Sequence, residues 1–381
     1  MSAPGTVDEW AVRVAEPLLE RLLAIRADLA DEYAQPHVYP WIIGFSGGKD
    51  STLVLQLVLE MLLELPPSQR VRPVHVLLND TLVESPIVQS FVDETLKRVR
   101  LAVQDLRLPV TVAKTHPEVN QSFWVNLIGR GYPAPSRMFR WCTDRMKIRP
   151  TTSYIQKQVA KGGKVILLLG VRRAESSARA RIVARYDNGE RLNNHNDVAN
   201  CLVYRPIVDL TTDDVWTVLM QARPPWGGTH RKLVTLYRNA GGGECPFVVD
   251  QSDTPSCGTS SSRFGCWTCT VVDKDKSLEG FIKVGNEHLE PLVDFRDLLQ
   301  AYSRDRSKRM EERRNGHAGA GPFTMEVRRE LLARVQELEG EVGFSIITPA
   351  EIERIEAIWR EDESMITRRN AKRLLEIVQD T

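Results

Sequence analysis

Apolar and polar positions along this chain follow two rhythms. Residues 7–33 place Trp10, Val14, Leu18, Leu22, Ile25 and Leu29 near one helical face, and Pro17 is expected to bend this helix or divide it. Residues 38–44 read as a short buried strand and 53–61 as a mostly apolar helix. The pair of signals then recurs. Strands are predicted over 71–78, 110–113, 164–169 and from Tyr204, and helices over 86–101 and from Thr211. In the last of these Thr211 or Thr212 supplies the cap, and Asp213 and Asp214 favour the helix dipole. Residues 122–128 read as helical, followed by a Gly/Pro loop over 129–135. Strand and helix alternating from Trp41 to about Gln221 predict an α/β fold, a mostly parallel sheet with helices on both faces.

The rhythm stops near Pro224, where prolines, glycines, serines and cysteines take over. It resumes after Leu278 as helical patterning: a charged stretch over 297–314, a glycine-rich break over 315–322, and helices over 324–338 and 349–380, the second broken near Asp362. Three domains are therefore expected: 1–221, an α/β domain with its N-terminal helix; 222–277, a loop-rich cysteine segment; and 278–381, a helical region. The chain has 381 residues and a formal net charge of +1, so contact with nucleic acid has to come from local patches. No transmembrane span or signal-like start is visible, which predicts a cytoplasmic protein with no membrane partner. In that compartment six cysteines argue for metal or chemistry before disulfides.

Between the first strand and its helix lies Ser46-Gly47-Gly48-Lys49-Asp50-Ser51-Thr52. A glycine turn opening a helix aims backbone N–H groups and the positive dipole end at an anion. Gly47 and Gly48 allow close approach, Ser46, Ser51 and Thr52 add hydroxyls, and Lys49 adds charge; phosphate is the expected guest. The kinase-type phosphate loop is excluded, because its glycine and Ser/Thr positions hold Ile43 and Asp50. Asp80, after the second strand, is placed either near a nucleotide or as a cap or turn residue. Gly170 follows a later strand, and Arg172 and Arg173 beyond it suit bidentate phosphate contacts.

Cys245, Cys257, Cys266 and Cys269 fall within twenty-five residues, the last two as Cys-x-x-Cys. The set suits an iron–sulfur cluster or a zinc site, and the single close pair leans away from zinc. Cys201 reads as a core residue. Cys142 lies among Arg140, Arg145, Lys147 and Arg149, surroundings that lower a thiol's pKa. Three roles stay open for it: a sulfur-carrying nucleophile, a further cluster ligand, or a packing thiol. Arg304, Arg306, Lys308, Arg309, Arg313 and Arg314 suit either DNA phosphates or a solvated helix with internal ion pairs.

Ser-Gly-Gly-Lys-Asp-Ser-Thr resembles the loop of pyrophosphate-loop ATP pyrophosphatases. With 141–150, 170–179 and 206–216 the chain resembles the phosphoadenosine phosphosulfate reductase family within them. The segment from Gly243-Glu244-Cys245-Pro246 to Cys266-Trp267-Thr268-Cys269 is similar to the DndC and SspD type of DNA phosphorothioation sulfurtransferases. The resemblance runs from about Trp41 to Leu332. It implies an adenine nucleotide alpha hydrolase-like fold, ATP with Mg2+ at Ser46 to Thr52, and a four-iron, four-sulfur cluster on the four cysteines. It implies as partners a cysteine desulfurase, other proteins of the modification system, and DNA. Lys49, Asp50, Cys142, Arg172 and Arg173 are the expected catalytic residues, and Asp80 and Gly170 join the loop in nucleotide binding. The competing readings are a sulfonucleotide reductase, a tRNA thiolase and a zinc-stapled scaffold. The absence of a cysteine after Cys269 counts against the reductase.

Overall fold

The computed structural model describes residues 15–186, 188–240 and 264–379. They pack as two compact units. The first comprises residues up to Asn79, then 85–115 and 151–264; the second comprises 80–84, 116–150 and everything from Gly265.

The first unit is the α/β fold that the alternation predicts. Helix α1 (Glu16–Tyr33) leads to β1 (Trp41–Phe45), α2 (Lys49–Glu64), β2 (Val74–Asn79), α3 (Pro86–Asp105) and β3 (Val110–Thr115). Helix α4 (Arg149–Gly162) then leads to β4 (Val165–Leu168), α5 (Ser177–Tyr186), β5 (Leu192–Asn194), β6 (Cys201–Tyr204), α6 (Thr212–Gln221) and α7 (Arg231–Asn239). The sheet order is β3-β2-β1-β4-β6-β5, parallel except for the β5–β6 pair. Strands 1 to 3 build outward on one side and strand 4 starts the other. The order therefore reverses between β1 and β4, where open α/β sheets place ligands. Helix α2 is buried from Leu53 to Leu62, as a helix apolar on all sides must be. Cys201 is a core residue, 2% exposed.

Several local expectations need correction. Pro17 lies in the first turn of α1, where a missing N–H costs nothing, and the earlier part of the 7–33 pattern, with Trp10 and Val14, lies outside the described residues. Strand β6 starts at Cys201 and ends at Tyr204, before Pro206, which would remove a ladder donor, and it gains the short partner β5. The helix expected over 122–128 is present, its last turn, Val125–Gly129, being π-helical.

In the second unit, α8 (Lys276–Ile282), α9 (Glu290–Arg304), α10 (Met325–Val342) and α11 (Pro349–Gln379) follow one another. The charged stretch leaves its helix at Arg304. Helix α10 is capped by Thr324, whose hydroxyl accepts from the Val327 N–H. Helix α11 continues unbroken past Asp362. Among the described residues no helix is long and apolar enough to cross a membrane.

Beneath α2 runs a buried polar chain. His230 Nε2 donates to Gln56 Oε1 at 2.7 Å, and Gln56 Nε2 donates to Glu60 Oε1 at 2.7 Å. Burial pushes the Glu60 carboxyl up to about 6 and the His230 imidazole down to about 4. From about pH 4.5 to 6 the unfolded chain carries the proton on histidine and the folded chain carries it on glutamate. The two contributions to pH-dependent stability then cancel. Glu60→Gln should remove the cancellation. His230, with its folded pKa depressed, leaves the unfolded state as the better proton binder, so stability should fall as pH drops from about 6.5 to about 4. The slope should approach ~1.4 kcal/mol per pH unit, measured by urea unfolding across that range. A slope as flat as that of the parent protein would mean that His230 is charged in the fold.

Candidate anion site and thiol cluster

The loop after β1 is built as an anion cradle. Gly47 has φ +75°, and a Cβ there would meet Val92 Cγ2 at 2.3 Å, so only glycine fits. Gly48 is the N-cap of α2 with no side-chain cap, which leaves first-turn N–H groups to find other partners. Ser46 and Ser51 brace the turn: the Ser46 N–H donates to Ser51 Oγ at 3.2 Å and Ser51 Oγ–H donates to the Gly48 carbonyl at 3.0 Å. Thr52 is 2% exposed, and its hydroxyl has no hydrogen-bond partner among the described residues.

Charge gathers at the start of α2. Lys49 is 3% exposed with its Nζ 3.3 Å from Asp50 Oδ2. Asp50 Oδ1 accepts from Arg172 Nε at 2.6 Å. Arg172 is fully buried and also reaches the Leu210 carbonyl and the Thr212 hydroxyl. Gly170 makes this possible. A Cβ there would sit 2.8 Å from the Asp50 carbonyl carbon and 2.9 Å from the Ser51 nitrogen, so the turn after β4 touches the helix start backbone to backbone.

Not every predicted residue joins this group. Arg173 points elsewhere and pairs with Asp209. Asp80, at the end of β2, accepts from the Leu82 N–H through its Oδ1 at 2.8 Å. Sequence reasoning missed Tyr237 on α7, whose hydroxyl accepts from the Lys49 N–H at 3.2 Å. Lys49 Nζ also lies 5.4 Å from the centroid of its ring. Nothing local in the sequence signals a partner 188 positions away.

The second unit holds three of the described thiols, Cys142, Cys266 and Cys269. Cys266 pairs with Glu84 in an isolated antiparallel bridge, and its Sγ lies 3.3 Å from Thr81 Oγ1 and 3.8 Å from Glu84 Oε1. Cys269 closes the Cys-x-x-Cys turn, donating its N–H to the Cys266 carbonyl at 3.0 Å. Trp267 between them is 3% exposed and packs near Trp124 and Phe295. Lys147 Nζ is 3.8 Å from Glu84 Oε1. Burial first, then the Glu84 charge, pushes the Cys266 thiol up to about 12. Such a thiol keeps its proton near neutrality unless a metal takes the proton's place; what suits a thiolate-held group is the donor set, two thiols of one Cys-x-x-Cys turn beside a buried tryptophan. Cys245 and Cys257 lie outside the described residues. Among the described residues no three His, Cys, Asp or Glu side chains gather as a metal site.

The expected activation of Cys142 is reversed. Its thiol pKa is raised, chiefly by burial and despite the opposing Lys147 charge. Of the four basic neighbours Arg140 is exposed to solvent, Arg145 bonds to Gln121 and Tyr132, and Arg149 to Asp144. Cys142 does lie within the electrostatic reach of Cys269 and Lys147.

A mostly parallel sheet whose reversal point carries a glycine cradle, a buried lysine and a buried arginine defines an α/β protein with an anion cradle where such sheets place ligands. The chain belongs to the phosphoadenosine phosphosulfate reductase domain family, whose profile matches residues 40–272. An uncharacterized protein of Methanocaldococcus jannaschii is 24% identical over 193 residues, and the match covers 51% of this chain but only 34% of that protein. FMN adenylyltransferase of Candida glabrata superposes with a TM-score of 0.37 at 11% identity, covering 86% of this chain and 85% of its own. The U34-tRNA thiolase NcsA of Methanococcus maripaludis, solved with its [4Fe-4S] cluster, gives 0.33 at 9% identity, with 74% and 79% covered. Likenesses this weak decide nothing about chemistry.

Proposed function

We propose that this protein is an ATP pyrophosphatase and sulfurtransferase that acts on a phosphate of the DNA backbone. The observation that carries the reading is the Lys49–Asp50–Arg172 group at an uncapped helix start, two cations fixed by one carboxylate where a triphosphate would sit. In the proposed reaction a non-bridging oxygen of the DNA phosphodiester attacks the α-phosphorus of ATP. The α–β bridging bond breaks and pyrophosphate leaves. Sulfur at the sulfide level then forms a bond to the activated DNA phosphorus, and AMP departs with the displaced oxygen. Backbone N–H groups of the loop and Lys49 would offset the charge that develops on the phosphates. Buried Arg172 acts through Asp50, holding the carboxylate and with it the lysine in place. Mg2+ would arrive on the nucleotide's own oxygens.

Cys266 and Cys269, with Cys245 and Cys257, would hold a four-iron, four-sulfur cluster, which would supply a sulfur- and electron-handling centre. Trp267 would keep water from it. The sulfur itself would come from a cysteine desulfurase as persulfide sulfur, two electrons from a thiol or a reduced electron-transfer protein would bring it to the sulfide level, and the remaining proteins of a phosphorothioation system would act on the same DNA. The family to which the chain belongs equally supports a second reading, a sulfonucleotide reductase, in which the same cradle binds a sulfonucleotide instead of splitting ATP. Incubating anaerobically prepared protein with ATP and DNA, and separately with adenylyl sulfate and a thiol, divides the two. AMP and pyrophosphate in the first mixture, from a brown protein containing iron and labile sulfide, are the expected results. Sulfite from the second, with intact ATP in the first, would replace the proposal with the reductase.

A further inference from the structure

The second unit carries a basic and aromatic surface that the chemistry above does not use. Tyr132 is its centre. Its ring lies 5.5 Å from the Arg145 guanidinium and 5.8 Å from that of Arg314, and it meets Phe139 edge to face at 5.9 Å. Arg314 also donates to the Arg130 carbonyl at 2.9 Å. Arg130 stands close enough to Arg145, Arg314 and Arg354 that, after burial, their charges hold its pKa below the usual arginine value.

Four guanidinium groups so close together need a reason. Arg314 has Asp362 at 3.7 Å and Arg354 has Glu361 at 3.1 Å. The side-chain partners of the other two, among the described residues, are neutral. Arg130 donates to Asn120 and Asn126, and Arg145 to Gln121 and the Tyr132 hydroxyl. Amide partners fix a guanidinium in direction without cancelling its charge. Beside this group the segment 136–140 is exposed throughout, with Met138 96% and Phe139 45% exposed, and it adds Arg137 and Arg140. That segment ends two residues before Cys142.

Uncancelled arginines recognise phosphate, and an exposed ring among them recognises a base that is free to stack. In a duplex the base faces are already stacked on one another, so the combination selects a single strand. We propose that the surface around Tyr132, Phe139, Arg137, Arg140 and Arg145 binds a single-stranded stretch of nucleic acid, its phosphates on the arginines and a base on Phe139. The inference rests on the proposed function for its substrate and narrows that substrate to an unpaired strand passing toward the thiols.

Fluorescence anisotropy of the full chain with labelled single-stranded DNA, the matching duplex and the matching single-stranded RNA tests this, without ATP or a sulfur source. The single strand should bind more tightly than the duplex. Phe139→Ala should weaken single-strand binding by about fivefold or more. The double variant Arg137→Gln, Arg140→Gln should flatten the slope of log Kd against log salt by about 1.4. Arg334→Gln, whose side chain pairs with Glu337 on α10, should bind like the parent. Tighter binding of RNA than of DNA would keep the surface and name its strand. A preference for duplex, or Phe139→Ala and the double variant both binding as the parent does, would overturn the proposal. Protein that cleaves ATP but binds no strand would also refute the surface while leaving the activity standing. Protein that binds the strand yet never cleaves ATP would do the reverse.

Discussion

Replacing Arg172 by methionine should cost about 3–5 kcal/mol of folding stability and abolish ATP cleavage. The guanidinium is fully buried, and Asp50 is its only carboxylate partner among the described residues. Removing one member of a buried pair strands the other, and the penalty comes largely from the stranded charge. Asp50 is 20% exposed, so it recovers some hydration, which places the cost toward the lower figure. The double variant Asp50→Asn, Arg172→Met should therefore regain part of the lost stability, because neither charge is then left alone. It should regain none of the activity, since Lys49 loses the carboxylate 3.3 Å from its ammonium. Arg172→Lys should resemble the methionine variant in activity. One ammonium cannot span Asp50, the Leu210 carbonyl and the Thr212 hydroxyl as a planar fork does. Urea unfolding of the four proteins with AMP release measured in parallel checks the whole set. A single variant as stable as the parent would show that the pair is slack and that the cradle has another organiser.

Arg172 also marks where sequence reasoning stops. The β1–loop–α2 unit was readable because its signals are local: apolar run, glycine pair, apolar helix, all within two dozen residues. The parallel sheet followed from repetition of the same signals. Arg172 and Arg173 are indistinguishable on that basis, being two arginines after a strand. Burial separates them, sending one to Asp50 and the other out to Asp209. The same limit misjudged Cys142, whose four basic neighbours were counted without their directions. Arg145 and Arg149 turn to other partners, Arg140 faces solvent, and desolvation of the thiol outweighs Lys147. Gly170 was placed near the nucleotide for its position, whereas its physical role is to let two backbones touch. Tyr237 carried no signal at all. The two compact units also recruit residues 80–84 and 116–150 to the C-terminal half, a pairing over long chain separations that no periodicity encodes.

Arg296 presents a similar case, and its loss should be felt at the thiols. Its side chain is 1% exposed on α9. Its Nε donates to the Cys269 carbonyl at 2.9 Å, one Nη donates to the Asp273 carbonyl at 3.1 Å, and the other donates to Val272. One guanidinium thus fixes three carbonyls of the strand-less segment that leaves the Cys-x-x-Cys turn. Those carbonyls have no ladder or helix to satisfy them; Val272 and Asp273 are exposed and Cys269 is half-buried, so the Cys269 carbonyl is the one left most short of a donor, at a cost of roughly 1–3 kcal/mol. Arg296→Met should therefore lower stability by about 2–3 kcal/mol, the lost packing of a buried side chain included. Asp297, 60% exposed, simply returns to water and adds little. Arg296→Lys should rescue only a small part, because a single ammonium cannot serve three diverging acceptors. Since the segment positions Cys269, bound iron per chain should fall in both variants more steeply than overall helix content, measured together on anaerobically prepared protein. Unchanged stability in Arg296→Met would mean that water satisfies those carbonyls. Lowered stability with full iron would mean that the other ligands hold the group without help from this turn.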